Sequence, residues 1–198
     1  MAIVVDKVQK RNDIALACKD LFIEKGLEKL TIAEVAKTAG VGKGTIYDYF
    51  TNKEDIVFEI INTILIDINI QKTNNLNSVS STRDKMKAFY DFFWEDKYKD
   101  IREIYKVFIS ISLGNPSLEM IEFNQKTCKF YFNWFQELLQ DGIDTNQIIP
   151  ESIDLAVGLY VMGDGILIKS LTTGNLLDVK QEIYNHIDTL FNIIEVKS

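Results

Sequence analysis

Residues Thr31–Glu54 read TIAEVAKTAGVGKGTIYDYFTNKE, two short helical patterns on either side of a glycine-rich break. Thr31 with Glu34 three residues later has the capping-box spacing, and Ile32, Val35, Ala36 and Ala39 line one apolar face up to Gly40. Gly40-Val41-Gly42 makes a tight turn, after which Lys43 to Phe50 forms a second short helix with Ile46 and Phe50 facing inward. Two short helices joined by such a turn are a helix-turn-helix unit.

Upstream, apolar residues at Val8, Ile14, Ala17, Cys18, Leu21 and Phe22 predict one helix from Val8 to Lys25, stopped at Gly26. Downstream, Thr51 or Asn52 caps a longer helix in which Ile56, Ile60, Ile64 and Ile68 recur every four residues. Asn74 to Thr82, rich in Asn and Ser, reads as a loop. Helical periodicity resumes at Met86, Phe89, Tyr90 and Phe93, again over Ile101–Leu113, and over Ser117–Gln140 with a stop at Gly142. Ser152–Thr173 and Val179–Val196 complete the chain. Only Pro116 and Pro150 interrupt these runs, so the expected class is all-α, in two parts: an N-terminal three-helix part with the helix-turn-helix over residues 1–52 and a larger helical part over 53–198.

The net charge of −7 looks unsuited to a nucleic-acid partner, but its distribution is uneven. Residues 1–53 carry nine Lys/Arg against seven Asp/Glu, and the remainder thirteen against twenty-two. An acidic body held away from phosphate fits that asymmetry. No stretch approaches the roughly eighteen uninterrupted apolar residues of a membrane span, and Met1–Lys10 has no signal-like apolar core, so a cytoplasmic location without a membrane partner is expected. Cys18 and Cys128 are far apart and unaccompanied by other metal ligands; both read as small buried side chains. The single histidine, His186, lies among polar neighbours, and no nucleophile elbow, zinc or phosphate-loop motif occurs. No enzyme, cofactor or metal is therefore expected.

The second short helix buries little, so its outward residues serve another purpose. Lys43 and Thr45 can reach base edges in a major groove, Tyr47, Tyr49 and Lys53 can reach the phosphate backbone, and Gly42 and Gly44 let the main chain approach closely. The plain alternative is that these are surface aromatics and solvated charges. The stretch resembles the DNA-binding domain of the TetR family of bacterial regulators: Thr31-Ile32, the series Ala36, Ala39, Gly40, Val41, then Thr45 to Phe50 and Asn52-Lys53-Glu54 match its pattern. The resemblance covers residues 8–68 at motif level and the remainder in length and helical pattern. It implies that residues 1–52 are a three-helix DNA-binding domain and 53–198 a helical effector-binding and dimerisation domain, that Lys43, Gly44 and Thr45 read bases, that Thr31, Tyr47, Tyr49 and Lys53 touch phosphate, and that the last two helices form a homodimer. Tyr49 departs from the histidine many members carry, yet its hydroxyl can still donate to phosphate.

The body is rich in aromatic residues, which either fill a core or line an apolar cavity. Because the resemblance implies an effector pocket, the candidates for it are Phe89, Phe93, Tyr105, Phe108, Phe123, Phe130, Trp134 and Tyr160, with Asp164, Asn133 or Gln125 as polar anchors. Asp164 lies between Gly163 and Gly165, which fits a pocket or a close-packed dimer face equally well. Ile183, Ile187, Leu190, Phe191 and Ile194 form one stripe on the last helix, whereas the helix before it is apolar on several sides and needs further cover. The expected function is a transcriptional repressor that leaves a near-palindromic double-stranded operator when a small hydrophobic effector binds. The alternative is a helical carrier of a hydrophobic ligand with a vestigial DNA head.

Overall fold

A computed structural model describes residues 6–77, 79–91, 94–114, 116–174 and 177–197. Among these the structure is all-helical, with one isolated antiparallel bridge between Ile148 and Glu195. The helices are α1 (Lys7–Ala17), α2 (Lys19–Lys25), α3 (Ile32–Thr38), α4 (Lys43–Tyr49), α5 (Lys53–Asn77), α6 (Thr82–Tyr90), α7 (Lys99–Gly114), α8 (Leu118–Asp144), α9 (Ala156–Thr173) and α10 (Leu177–Ile194). They form two compact units, one of residues 1–70 and 99–120, the other of residues 71–98 and 121–198. The expected boundary at Lys53 coincides with the start of α5, while the compact units divide within that helix at residue 70.

In the first unit the chain closes α1 to α5 around Ile14, Phe22, Val35, Ile46, Phe50, Ile56 and Ile60, each at most 2% exposed. Burial of seven such side chains is worth roughly 1.5–3 kcal/mol apiece before entropy is counted. α7 packs on α2 within this unit. The single helix expected over Val8–Lys25 is two, divided at Cys18, whose N–H bonds Ala15 O at 3.0 Å while its thiol points at Val35 O. Asp6 caps α1 by accepting from Val8 and Gln9 N–H, which leaves Val8 69% exposed rather than inward. The turn from α3 to α4 is a complete Schellman arrangement: Val41 N–H bonds Ala36 O, Gly40 N–H bonds Lys37 O, and Gly40 takes φ 66°, where a side chain is strained.

Asn52 caps α5 by accepting from Asp55 N–H at 2.8 Å, and the Asp55 carboxylate accepts from Thr51 N–H at 3.0 Å. Asn74–Asn77, expected as loop, continue α5, since nothing from Gln71 to Asn77 is glycine or proline and asparagine weakens a helix without breaking it.

In the second unit, Arg83 of α6 reaches Asp188, Asn192 and Glu195 of α10 and its following segment. Of the expected stripe, Ile183, Ile187, Phe191 and Ile194 are buried and Leu190 is half-buried. Gly142 does not end α8. It lies inside the helix, and a Cβ built there would stand 2.6 Å from Thr82 Oγ1, itself on a side chain 1% exposed. Gly142→Ala is expected to destabilise the second unit by about 1–3 kcal/mol through overpacking, read as a lowered midpoint in urea unfolding; an unchanged midpoint would show that α6 yields freely.

Two further expectations change. Cys18 is fully buried and burial pushes its thiol up to about 11, but Cys128 is exposed on α8. Residues Pro150–Thr173, a 3-10 turn followed by α9, are long and apolar enough by composition to cross a membrane, at mean hydropathy 1.4. Only 28% of that apolar window is buried within one chain. The core helix of a water-soluble protein passes the same compositional test, and the three glycines and Asp164 interrupt the apolar surface.

Candidate nucleic-acid interface and effector site

α4 is divided by burial. Ile46 and the capping residue Phe50 are 0% and 2% exposed and seat the helix, whereas Lys43, Gly44, Tyr47 and Asp48 point outward, with Tyr47 62% exposed. Thr45 and Tyr49 are half-buried between the two faces. A Cβ at Gly44 would meet nothing within 4 Å. Glycine costs a helix about 1 kcal/mol relative to alanine, and no packing within the chain offsets that cost at Gly44. The structure thus brings Lys43, Gly44 and Tyr47 onto one open surface.

Thr31 and Lys53 are otherwise employed. Thr31 Oγ1 accepts from Glu34 N–H at 3.3 Å and donates to Glu34 Oε2 at 2.8 Å, and the Thr31 N–H donates to the same carboxylate at 3.0 Å. With Lys25 Nζ at 2.6 Å as the principal cause and the Thr31 donors adding to it, the Glu34 carboxyl is held down at about 2. Both donors of Thr31 are therefore committed to the capping box. Lys53 is expected from the sequence to touch phosphate; its ammonium here donates to Leu27 O at 2.8 Å and Leu30 O at 2.9 Å, satisfying carbonyls of the α2–α3 connection. A phosphate contact from either residue would compete with these bonds.

A residue the sequence reading passed over is Arg11. Its Nε donates to Glu59 at 2.6 Å, its Nη2 to Asp55 at 2.7 Å, its Nη1 to the carbonyl of Tyr49, and its guanidinium lies 4.4 Å from the centre of the Phe50 ring. The available signal was a lone arginine beside the inward Ile14 and Ala15, with two carboxylates four residues apart on α5.

The aromatic candidates fall into two groups. In the second unit Phe89 stacks on Trp134 with centroids 4.8 Å apart and meets Phe135 edge-on at 4.6 Å, while Tyr131 stacks on Tyr160 at 6.5 Å. Tyr90 donates to Leu159 O in the same cluster, and burial first, then the charge of Asp164, pushes its hydroxyl above the usual range. Asp164 is exposed on α9; partial loss of water around its carboxyl raises it, opposed by the hydrogen bond with the Tyr160 side chain. Phe123 is half-buried on α8, and Phe130 is 48% exposed, touching Tyr131 edge-on. Asn133 and Gln125 are exposed on the same helix. Tyr105 and Phe108 belong to the first unit, stacked on each other at 5.7 Å, with Phe108 1% exposed. Phe93 lies outside the described residues. Tyr131 and Phe135 join the cluster although neither was singled out for it. A cleft of about 710 Å³ in the first unit is lined by none of these rings, but by Arg11, Thr51, Glu54, Asp55, Pro116 and Glu119 among others. His186 is exposed, as expected.

Residues 14–60 match the model of bacterial regulatory proteins of the tetR family. Among curated relatives, the HTH-type transcriptional regulator BetI 1 of Chromohalobacter salexigens is 25% identical over 185 residues, 90% of this chain and 89% of its own. A TetR-family transcriptional regulator from Cytophaga hutchinsonii superposes with a TM-score of 0.76 at 16% identity, over 96% of each chain. The regulator FadR from Bacillus subtilis, solved in complex with stearoyl-CoA, superposes with a TM-score of 0.67 at 19% identity, over 90% of this chain and 96% of its own. At these identities the solved structures speak for the fold alone.

Proposed function

We propose that the chain, whose residues 14–60 match the tetR family model and whose curated relatives are transcriptional regulators and not enzymes, is a ligand-responsive repressor of that family, binding a near-palindromic double-stranded operator as a homodimer. The observation that carries the reading is the division of α4: Ile46 and Phe50 seat it while Lys43, Gly44 and Tyr47 stand clear. In this reading residues 1–52 form the DNA-reading head and 53–198 the effector-binding and dimerisation part. Lys43 and Thr45 address base edges, and Tyr47 and Tyr49 address phosphates. Thr31 and Lys53 assist through the helix geometry they maintain and reach phosphate only by exchanging an existing bond. The protein acts in the cytoplasm, where its DNA lies.

Dimerisation through α9 and α10 is supported by what α9 leaves uncovered. Val157, Val161 and Ile168 are 55%, 55% and 46% exposed along one side, and a Cβ at Gly158 or Gly165 would meet nothing. An apolar helix face of this kind is covered by a second copy in a twofold interface. The effector is a small hydrophobic molecule held among Phe89, Tyr131, Trp134 and Tyr160, with the Tyr160–Asp164 pair as polar anchor. B. subtilis FadR, which shares this fold, was solved with stearoyl-CoA, a ligand whose acyl chain is apolar. Effector binding lowers operator affinity by favouring a form in which the two recognition helices no longer match successive major grooves, roughly 34–36 Å apart or more.

The test is selection of binding sites from a pool of random duplexes with the purified protein at fixed salt, followed by titration of hydrophobic ligands against the selected duplex. A near-palindromic consensus, bound by a species of twice the chain mass and released by a ligand, is expected. No consensus, or a bound ligand without effect on operator affinity, would end the repressor reading.

A further inference from the structure

α4 is a poor helix to rely on for placing side chains. It has seven residues, contains Gly44, lacks a side-chain N-cap bond, and its last carbonyls have no partner within the helix. Buried Ile46 and Phe50 fix its depth, but two apolar anchors four residues apart allow the helix to roll about the line joining them. A third, directional contact is needed to set its rotation.

We infer that Arg11 is a positioning residue for DNA reading, orienting the recognition helix by tying its C-terminal end to α5. Each of its three guanidinium nitrogens has a different acceptor: the Tyr49 carbonyl at the last residue of α4, Asp55, and Glu59. Its plane also covers the Phe50 ring. The acceptors are themselves fixed. Glu59 is 7% exposed and, in the amide orientation its neighbours dictate, Asn12 donates to its other oxygen at 2.8 Å. Asp55 uses its second oxygen for Thr51 N–H at 3.0 Å, the first residue of the turn out of α4 after Phe50. One planar cation thus joins α1, the end of α4 and the first two turns of α5. A guanidinium fork sets direction at several acceptors at once, as an ammonium on a flexible stem does not.

This inference rests on the DNA-binding reading above and is separable from it. Once the unaltered protein has yielded a selected operator, specific affinity is measured for Arg11→Met and Arg11→Lys beside a shuffled duplex of equal length, at a temperature where helical circular dichroism shows each variant folded. A purely stabilising residue leaves the affinity of folded protein untouched. The expected result is a loss of about tenfold or more in operator affinity with affinity for the shuffled duplex nearly unchanged, because phosphate attraction survives a small rotation of α4 while base contacts do not. Arg11→Lys keeps the charge and the stem, and it decides the matter if Arg11→Met does not fold. Equal operator affinity in the folded variants would overturn the inference. So would a parallel fall on both duplexes, the mark of a direct phosphate contact, or failure of both variants to fold, the mark of a stability residue. Failure of the unaltered protein to yield any operator would overturn the DNA-binding reading together with this one.

Discussion

Phe135→Ala is expected to lower the unfolding free energy of the protein by about 3–5 kcal/mol, the usual cost of removing a fully buried ring. Phe135 is 0% exposed and stands against Phe89 at 4.6 Å, Trp134 at 5.2 Å, Tyr90 at 6.3 Å and Tyr160 at 6.3 Å between ring centres. The substitution forfeits the apolar transfer of the ring and two edge-to-face contacts, with Phe89 and Trp134, each worth about 0.5–1.5 kcal/mol beyond area. Neighbouring rings are stiff and cannot collapse into the gap, so the cavity cost is felt nearly in full. For a chain of this length the melting midpoint falls on the order of 10 °C, measured calorimetrically. A change of only a degree or two would mean that the cluster already contains space at that position. In that case Phe135 would be a wall of the effector cavity, and the variant should bind a larger hydrophobic ligand.

Lys43→Ala combined with Tyr47→Ala is expected to reduce operator affinity by about tenfold to a thousandfold while leaving the melting midpoint nearly unchanged. A base-edge contact carries about 1–3 kcal/mol of discrimination, and loss of a phosphate contact also lowers the slope of log affinity against log salt by about one. Stability is spared because Lys43 is exposed and Tyr47 is 62% exposed. The measurement is operator binding across a salt series beside thermal melting. If the double variant binds the operator as before, α4 is not the reading helix, and the helical-carrier reading becomes the one to pursue through ligand binding to the second unit. If affinity and melting fall together, the effect belongs to folding.

Much of the head was legible before any coordinates because its signals are local. The Thr31–Glu34 box, the Gly40 left-handed turn, the inward Ile46 and Phe50, and the four-residue spacing of isoleucines on α5 each depend on neighbours within a helical turn or two. Helix ends were less legible: α5 runs through Asn77 because asparagine weakens a helix without breaking it, and α8 runs through Gly142 to Asp144 because Gly142 packs closely on Thr82. Cys128 was misread because a small apolar residue costs little on either side of a helix, so its identity carries no information about direction.

Tertiary packing settled the rest, because the deciding contacts join residues distant in sequence. Arg11 meets partners 38 to 48 positions away, and Lys53 turns back to Leu27 and Leu30, so neither role follows from local spacing. The aromatic residues separate in the same manner: Phe89, Trp134 and Tyr160 belong to one unit and Tyr105 and Phe108 to the other, although all recur with the same helical period. Periodicity states which side of a helix is apolar. Which other helix that side meets is set by the competition among all apolar faces for cover, a property of the whole folded chain.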